Sequence, residues 1–249
     1  RVGQIPSADA GRHALIIAPG TKGTTALPMF QARDNCEVQT REVFLAEDGP
    51  GRVIETTESK GPAEVAQRVQ FTGADPAKLK ENLREHIKAT YRSETLGETG
   101  HPDPLALDQP FRLRVEAKKA GNAYTSSKDA RVVLNPWPLV TALSQYLKPG
   151  EPDPRDPRPT EETKGGIRPR RTRLELPRPW SGEMNWILHA PDGYGIEVLP
   201  ESHMRAFGPA TLHMAWRRAE NGTVEANFRF ECDRLKWTPA EVDQARAAL

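Results

Sequence analysis

The chain has 249 residues, enough for one large domain or two small ones, and a hydrophobic content of 37% suits two modest cores better than one deep core. Its 35 basic and 34 acidic residues nearly cancel, so the single-sign field that nucleic acid or an anionic membrane surface would draw on is excluded. No apolar run approaches the roughly 18 residues that cross a bilayer as a helix.

Arg1 to Gly11 is polar, and no charged-then-apolar leader stands before it, which reads as a fragment or processed product. His13 to Ala18, HALIIA, is a short apolar run closed by Pro19-Gly20, and it predicts one buried strand without an adjacent hairpin mate. The following GTKGTT fails as a phosphate loop, because the lysine precedes the second glycine and no helix pattern follows. Asn35 to Gly61 predicts a hairpin around Glu47 to Gly51. Pairing Ala46 with Arg52 puts Leu45 opposite Val53 and Phe44 opposite Ile54.

Pro62 to Phe71 predicts a short helix with Ala63, Ala66 and Val69 on one face. A second helix starts at Pro76 behind an Asp75 cap and carries Leu79, Leu83, Ile87 and Tyr91 along one stripe, with His86 at its boundary. Phe111, Leu113 and Val115 alternate with charged residues as a strand with one dry face, Val132 to Leu134 adds another strand, and Pro138 to Leu147 predicts a helix.

From Lys148 to Pro159 the text becomes KPGEPDPRDPRP, and Gly165-Gly166 extends the interruption; proline at that density cannot join a sheet interior. Beyond it, Arg173 to Leu176, Asn185 to His189 and Ile196 to Leu199 predict strands. In the next pair, a three-residue loop at Glu220 to Gly222 sets Trp216 against Ala226, Met214 against Phe228 and Leu212 against Phe230, keeping both dry faces together. The glycosylation match at Asn221-Gly222-Thr223 reads more simply as that turn. Thr238, Pro239 and Glu241 form a capping box that starts a helix towards Leu249.

The fold class is thus mostly β with α, an α+β chain of two β-rich, sandwich-like domains. The first, 25–148, carries helices; a Pro/Gly-rich linker spans 149–166; and 167–249 is a small antiparallel β domain with a C-terminal helix. Residues 1–24 form an N-terminal strand and linker.

Chemistry is harder to find. The text has no His-Glu-x-x-His, no Cys-x-x-Cys, no Gly-x-Ser-x-Gly and no dinucleotide glycine fingerprint. Cys36 and Cys232, the only cysteines, each continue an alternating apolar strand pattern and read as buried thiols rather than nucleophiles or an interdomain disulfide. His203 and His213, near a Gly-Pro break, and His101, in a loop, read as ordinary surface residues. No catalytic, cofactor-binding or metal-binding residue can be named, and no cofactor is expected. What remains is a candidate binding surface of Trp180 and Trp186 with Arg168, Arg170 and Arg171. Against it, tryptophans near strand ends serve more often as core, and the arginines read as a solvated strand face beside the linker.

Five stretches resemble, in order and spacing over nearly the whole chain, the region that follows the catalytic core in large bacterial transglutaminase-like proteins. They are EDGPGRVIETTESKG at 47–61, PFRLRVEA at 110–117, LELPRPW at 174–180, APDGYGIEVLPES at 190–202 and TPAEVDQARAAL at 238–249. HALIIAPG at 13–20 resembles the strand that closes that core. The resemblance implies extracytoplasmic β-sandwich domains, periplasmic or secreted, with residues 1–24 coming from an upstream papain-like core that holds the cysteine, histidine and aspartate. No residue here matches those triad motifs. The implied function is a noncatalytic accessory module that positions or regulates the core or its substrate, with that core, in the same polypeptide, as the partner. The alternative is a stand-alone envelope scaffold that holds a peptide or glycan with exposed sheet edges or with Trp137, Trp180 and Trp186. Neither reading involves nucleic acid or a membrane span.

Overall fold

The computed structural model describes residue 5 and residues 9–147, 172–195, 198–219 and 223–249. The first elements are the short strands β1 (His13–Leu15) and β2 (Thr24–Ala26), then the long strands β3 (Cys36–Phe44) and β4 (Gly49–Ser59). Helices α1 (Pro62–Phe71) and α2 (Pro76–Tyr91) follow, then β5 (Thr95–Gly100), β6 (Arg112–Thr125), β7 (Ala130–Val132) and α3 (Trp137–Leu147). The later part contributes β8 (Leu174–Glu175), β9 (Trp180–His189), β10 (His203–Phe207), β11 (Ala210–Arg218), β12 (Val224–Cys232), β13 (Lys236–Trp237) and α4 (Pro239–Ala248). The mostly-β, α+β class expected from the sequence is what the chain adopts. No described helix is long and apolar enough to cross a membrane.

Alternation sets the main sheet. Val43 on β3, Val53 on β4, Met184, Trp186 and Leu188 on β9, and Val224, Ala226 and Phe228 on β12 all fall on one parity and pack into one cluster with Ile87 and Tyr91 of α2. Farther along the same face, Phe230 and Cys232 of β12 join Val140, Leu143 and Leu147 of α3, Val242 and Ala245 of α4, and Trp237 in a second cluster. The helices therefore cover one face of the sheet, and most of the other parity is left outward, with Ile54 and Glu116 as buried exceptions.

The strand order is β10-β11-β12-β9-β3-β4-β6-β5, with β7 beside β6. Here the structure differs from the two separate sandwich-like domains expected. β3 pairs antiparallel with β4 on one edge and parallel with β9 on the other, so strands from 25–148 and from 167–249 share one sheet and one core cluster. Of the covered residues of β3 only Val43 is apolar, but Val53 of β4 flanks it on one edge and Leu188 of β9 on the other, so seating β3 between the two strands joins their apolar positions into one core. The expected linker, 149–166, lies outside the described residues.

The 212–230 pairing is as expected: Trp216 faces Ala226, Met214 faces Phe228 and Leu212 faces Phe230. Its loop, 220–222, lies outside the described residues. The first hairpin is shifted by contrast, with Phe44 opposite Arg52 and Val43 opposite Val53. Leu45 leaves the ladder to donate its N–H to the His189 carbonyl at 3.0 Å, while Gly49 and Pro50 pair with Thr125 and Tyr124 of β6.

Helix boundaries match expectation closely. Asp75 caps α2 through the Ala77 N–H at 2.8 Å, and Thr238 and Glu241 cap α4 reciprocally. Gly61 enters α1 at φ 65°, where a side chain would collide with the Asp34 carbonyl. The buried face of α1 is the reverse of the one expected. Glu64 and Arg68 go inward, paired at 2.8 Å, and Val65 and Val69 face out, because the Arg68 fork is satisfied by the carbonyls of Pro104, Ala106 and Gln109. Of the predicted strand at Ile196 to Leu199, residues 196 and 197 lie outside the described residues, and Val198 and Leu199 are not in a strand.

The N-terminal run also departs from expectation. β1 has a hairpin mate, with His13 opposite Ala26 and Leu15 opposite Thr24, and the ribbon continues through the Leu27 N–H to the Arg12 carbonyl at 2.7 Å. The run is not buried, since Leu15, Ile16 and Ile17 are 63%, 54% and 96% exposed.

Candidate functional site

Two opposite charges are placed inward at the centre of the sheet. Arg41 of β3 and Glu55 of β4 are paired residues on the covered parity, and their side chains are 3% and 4% exposed. Arg41 Nε donates to Glu55 Oε2 at 3.2 Å, and the Tyr91 hydroxyl of α2 donates to the same oxygen. His86, five residues before Tyr91 on the same helix and still 37% exposed, places Nε2 2.9 Å from Glu55 Oε1. The guanidinium of Arg41 lies 4.7 Å over the Trp186 ring and 5.6 Å over that of Tyr91. It also donates through Nη2 to Gln39 Oε1 at 2.6 Å, and Gln39 Nε2 donates to Glu37 Oε1 at 2.8 Å.

Burial by itself would raise the Glu55 pKa. The hydrogen bond and charge of His86, then the Arg41 charge and the Tyr91 hydroxyl, outweigh it and hold the group at about 2. The Glu55 bond raises the His86 pKa against the opposing effect of burial, and burial followed by the Glu55 charge drives the Tyr91 phenol upward. Donors occupy both oxygens of Glu55, so this carboxylate is equipped to hold α2 on the sheet rather than to take a substrate proton. Alternation puts Cys36 on the opposite face of β3 from Arg41, away from His86.

The outward face is polar. Thr40, Asn185, Asn227 and Ala215 stand in one row across four strands, and Glu42, Ile187, Glu225 and Arg217 in the next. All of these but Glu42 line a shallow concavity of about 330 Å³. Asn227 Nδ2 donates to Asn185 Oδ1 at 2.7 Å and to Glu183 Oε1 at 2.8 Å, and Arg217 Nε donates to Glu225 Oε2 at 2.7 Å. Arg112 pairs with Glu58 at 2.6 Å, so charge on this face is largely neutralised within it. A third feature is an apolar groove of about 420 Å³ between α1 and 104–107, walled by Val65, Val69, Leu105 and Leu107.

The residues expected to form a binding surface are not brought together. Trp186 is 1% exposed, in the core beneath Arg41. Its parity on β9 matches that of Met184 and Leu188, which takes it to the covered side. Trp180 is half-buried, with its ring 6.0 Å from those of Tyr146 and Phe230, while Trp137 is exposed on α3. Arg168, Arg170 and Arg171 lie outside the described residues. Cys232 is buried, as expected, and burial with the Asp233 charge pushes its thiol up to about 12. Cys36 is only half-buried, because its parity faces outward; burial still raises its pKa, against the opposing charge of Lys60. Among the described residues, no cluster of three or more His, Cys, Asp or Glu side chains is placed to hold a metal.

The Arg41–Glu55 pair went unseen in the sequence, although a signal existed. The expected hairpin register sets Arg41 against Thr57 and Glu55 against Val43, leaving two inward charges unpaired. Moving the register so that they face each other avoids a cost that two extra apolar cross-strand contacts cannot offset.

No protein-family model and no curated protein matches the chain. A solved structure described as a "putative protease", from Parabacteroides distasonis, aligns with 32% of this chain and 15% of its own at 18% identity, with a TM-score of 0.27. A likeness at that level carries no argument about fold or activity.

Proposed function

We propose that this chain is a noncatalytic accessory module of a transglutaminase-like protein, docking on a papain-like core through its N-terminal ribbon and positioning that core or its substrate. The observation that supports this reading is the exposure of Leu15, at the end of β1, and of Ile16 and Ile17 just after it, beside a two-stranded ribbon whose strands, among the described residues, pair only with each other. An isolated ribbon is marginal in water, and each aliphatic side chain left exposed forgoes roughly 1.5–3 kcal/mol of burial. A contiguous apolar run of this kind marks a contact surface. It falls within the stretch that resembles the strand closing the core, and the extracytoplasmic setting rests on the same resemblance.

The test is to supply the core separately and measure its binding by calorimetry to the unaltered chain and to an Ile16→Asp, Ile17→Asp variant. A loss of tenfold or more in affinity is expected, and equal affinity overturns the reading. The outward concavity at Thr40, Asn185 and Asn227 favours a second reading, an envelope scaffold for a peptide or glycan. That reading requires NMR shift changes at those residues on adding cell-wall glycan or peptide, with none at 13–17.

A further inference from the structure

We infer that α2 is held to the sheet by a proton-dependent clamp, in which His86 grips Glu55, so that the helix is tied down more firmly in mildly acidic than in alkaline solution. The geometry divides the work between the two carboxylate oxygens. Oε2 receives the donors of Arg41 and Tyr91, whereas Oε1 is matched, among the described residues, with His86 alone. The groups facing His86 are Glu55 from β4, Glu37, Gln39 and Arg41 from β3, and Tyr91 from its own helix, with the apolar Trp186 ring of β9 behind Arg41. Among these, two carboxylates stand against the single permanent cation of Arg41. With His86 neutral the cluster keeps one surplus negative charge; a proton on His86 removes it. Because Glu55 is out of water, that balance is weakly screened.

The sign follows from the direction of each shift. The folded-state pKa of His86 lies above its ordinary value of 6.5, so its contribution is complete below that value and is lost as pH rises through the folded-state pKa. Glu55 acts at the other limit, with its contribution complete above 4.5 and lost as pH falls towards about 2. Between the two, the clamp is fully closed.

The experiment is amide exchange of the intact chain at about pH 5.5 and about pH 8.5, corrected for intrinsic exchange, with α4 as the internal reference, alongside an NMR titration of the His86 ring. Protection of α2 relative to α4 should fall several-fold at the higher pH, and His86 should titrate above 6.5. In a His86→Gln chain the relative protection should be the same at both pH values, at the level the unaltered chain shows when alkaline. A relative protection that does not change with pH in the unaltered chain, or a His86 titrating at or below 6.5, overturns the clamp. If the variant does not fold, the titration and exchange of the unaltered chain decide alone.

Discussion

A carboxylate withdrawn from water must be neutralised where it sits, and Glu55 is neutralised by side chains from two other elements. Replacing it with Gln keeps the shape but strands Arg41, whose side chain is only 3% exposed. Glu55→Gln should therefore lose roughly 3–5 kcal/mol in urea unfolding near neutral pH, whereas Glu55→Leu combined with Arg41→Met should lose distinctly less. The Gln variant should also lose the share of the acid limb that Glu55 contributes, while keeping that of Glu241, whose carboxyl is likewise held at about 2 by Arg234 and the Thr238 N–H. A loss under about 1 kcal/mol would mean that Arg41 finds water once its partner is gone. Both residues were readable as inward by parity. Their partnership was not, because the register that pairs aliphatics and the one that pairs these charges differ by two residues and keep the same parity, so alternation alone does not choose between them.

Elements whose partners are close in sequence were the most legible. The β11–β12 pairing follows from two runs of alternating apolar residues that share a dry face in only one register, and the start of α2 follows from Asp75 and Pro76. The burial of α1 was misread because helical spacing pointed to Ala63, Ala66 and Val69, while a loop more than thirty residues later supplies the carbonyls that bring Arg68 inside. The parallel pairing of β3 with β9 is the extreme case. Nothing local in Cys36–Phe44 announces a partner beyond residue 179, and the proline-rich text between them reads as a boundary. The ladder makes a prediction at this scale. With a specific protease site placed in 149–166, the cleaved chain should elute as one particle and separate only in denaturant, because nine paired positions and a shared core join the pieces. Two particles eluting apart without denaturant would mean that the seam is too weak to make one sheet.

For the molecule as a whole, the polar cluster at Glu55 locks, the sheet's outward face balances its own charges, and the exposed apolar ribbon at 13–17 stands apart from both. The exposure of that apolar run is what the proposed docking on a catalytic core would account for. The most direct measurement is amide exchange over 13–27 with and without a folded transglutaminase-like core added in trans. The ribbon should exchange quickly in the isolated chain and become protected when the core is present, while α2 and α4 do not change. Unchanged exchange in the presence of the folded core, or full protection already in the isolated chain, would contradict the accessory-module account.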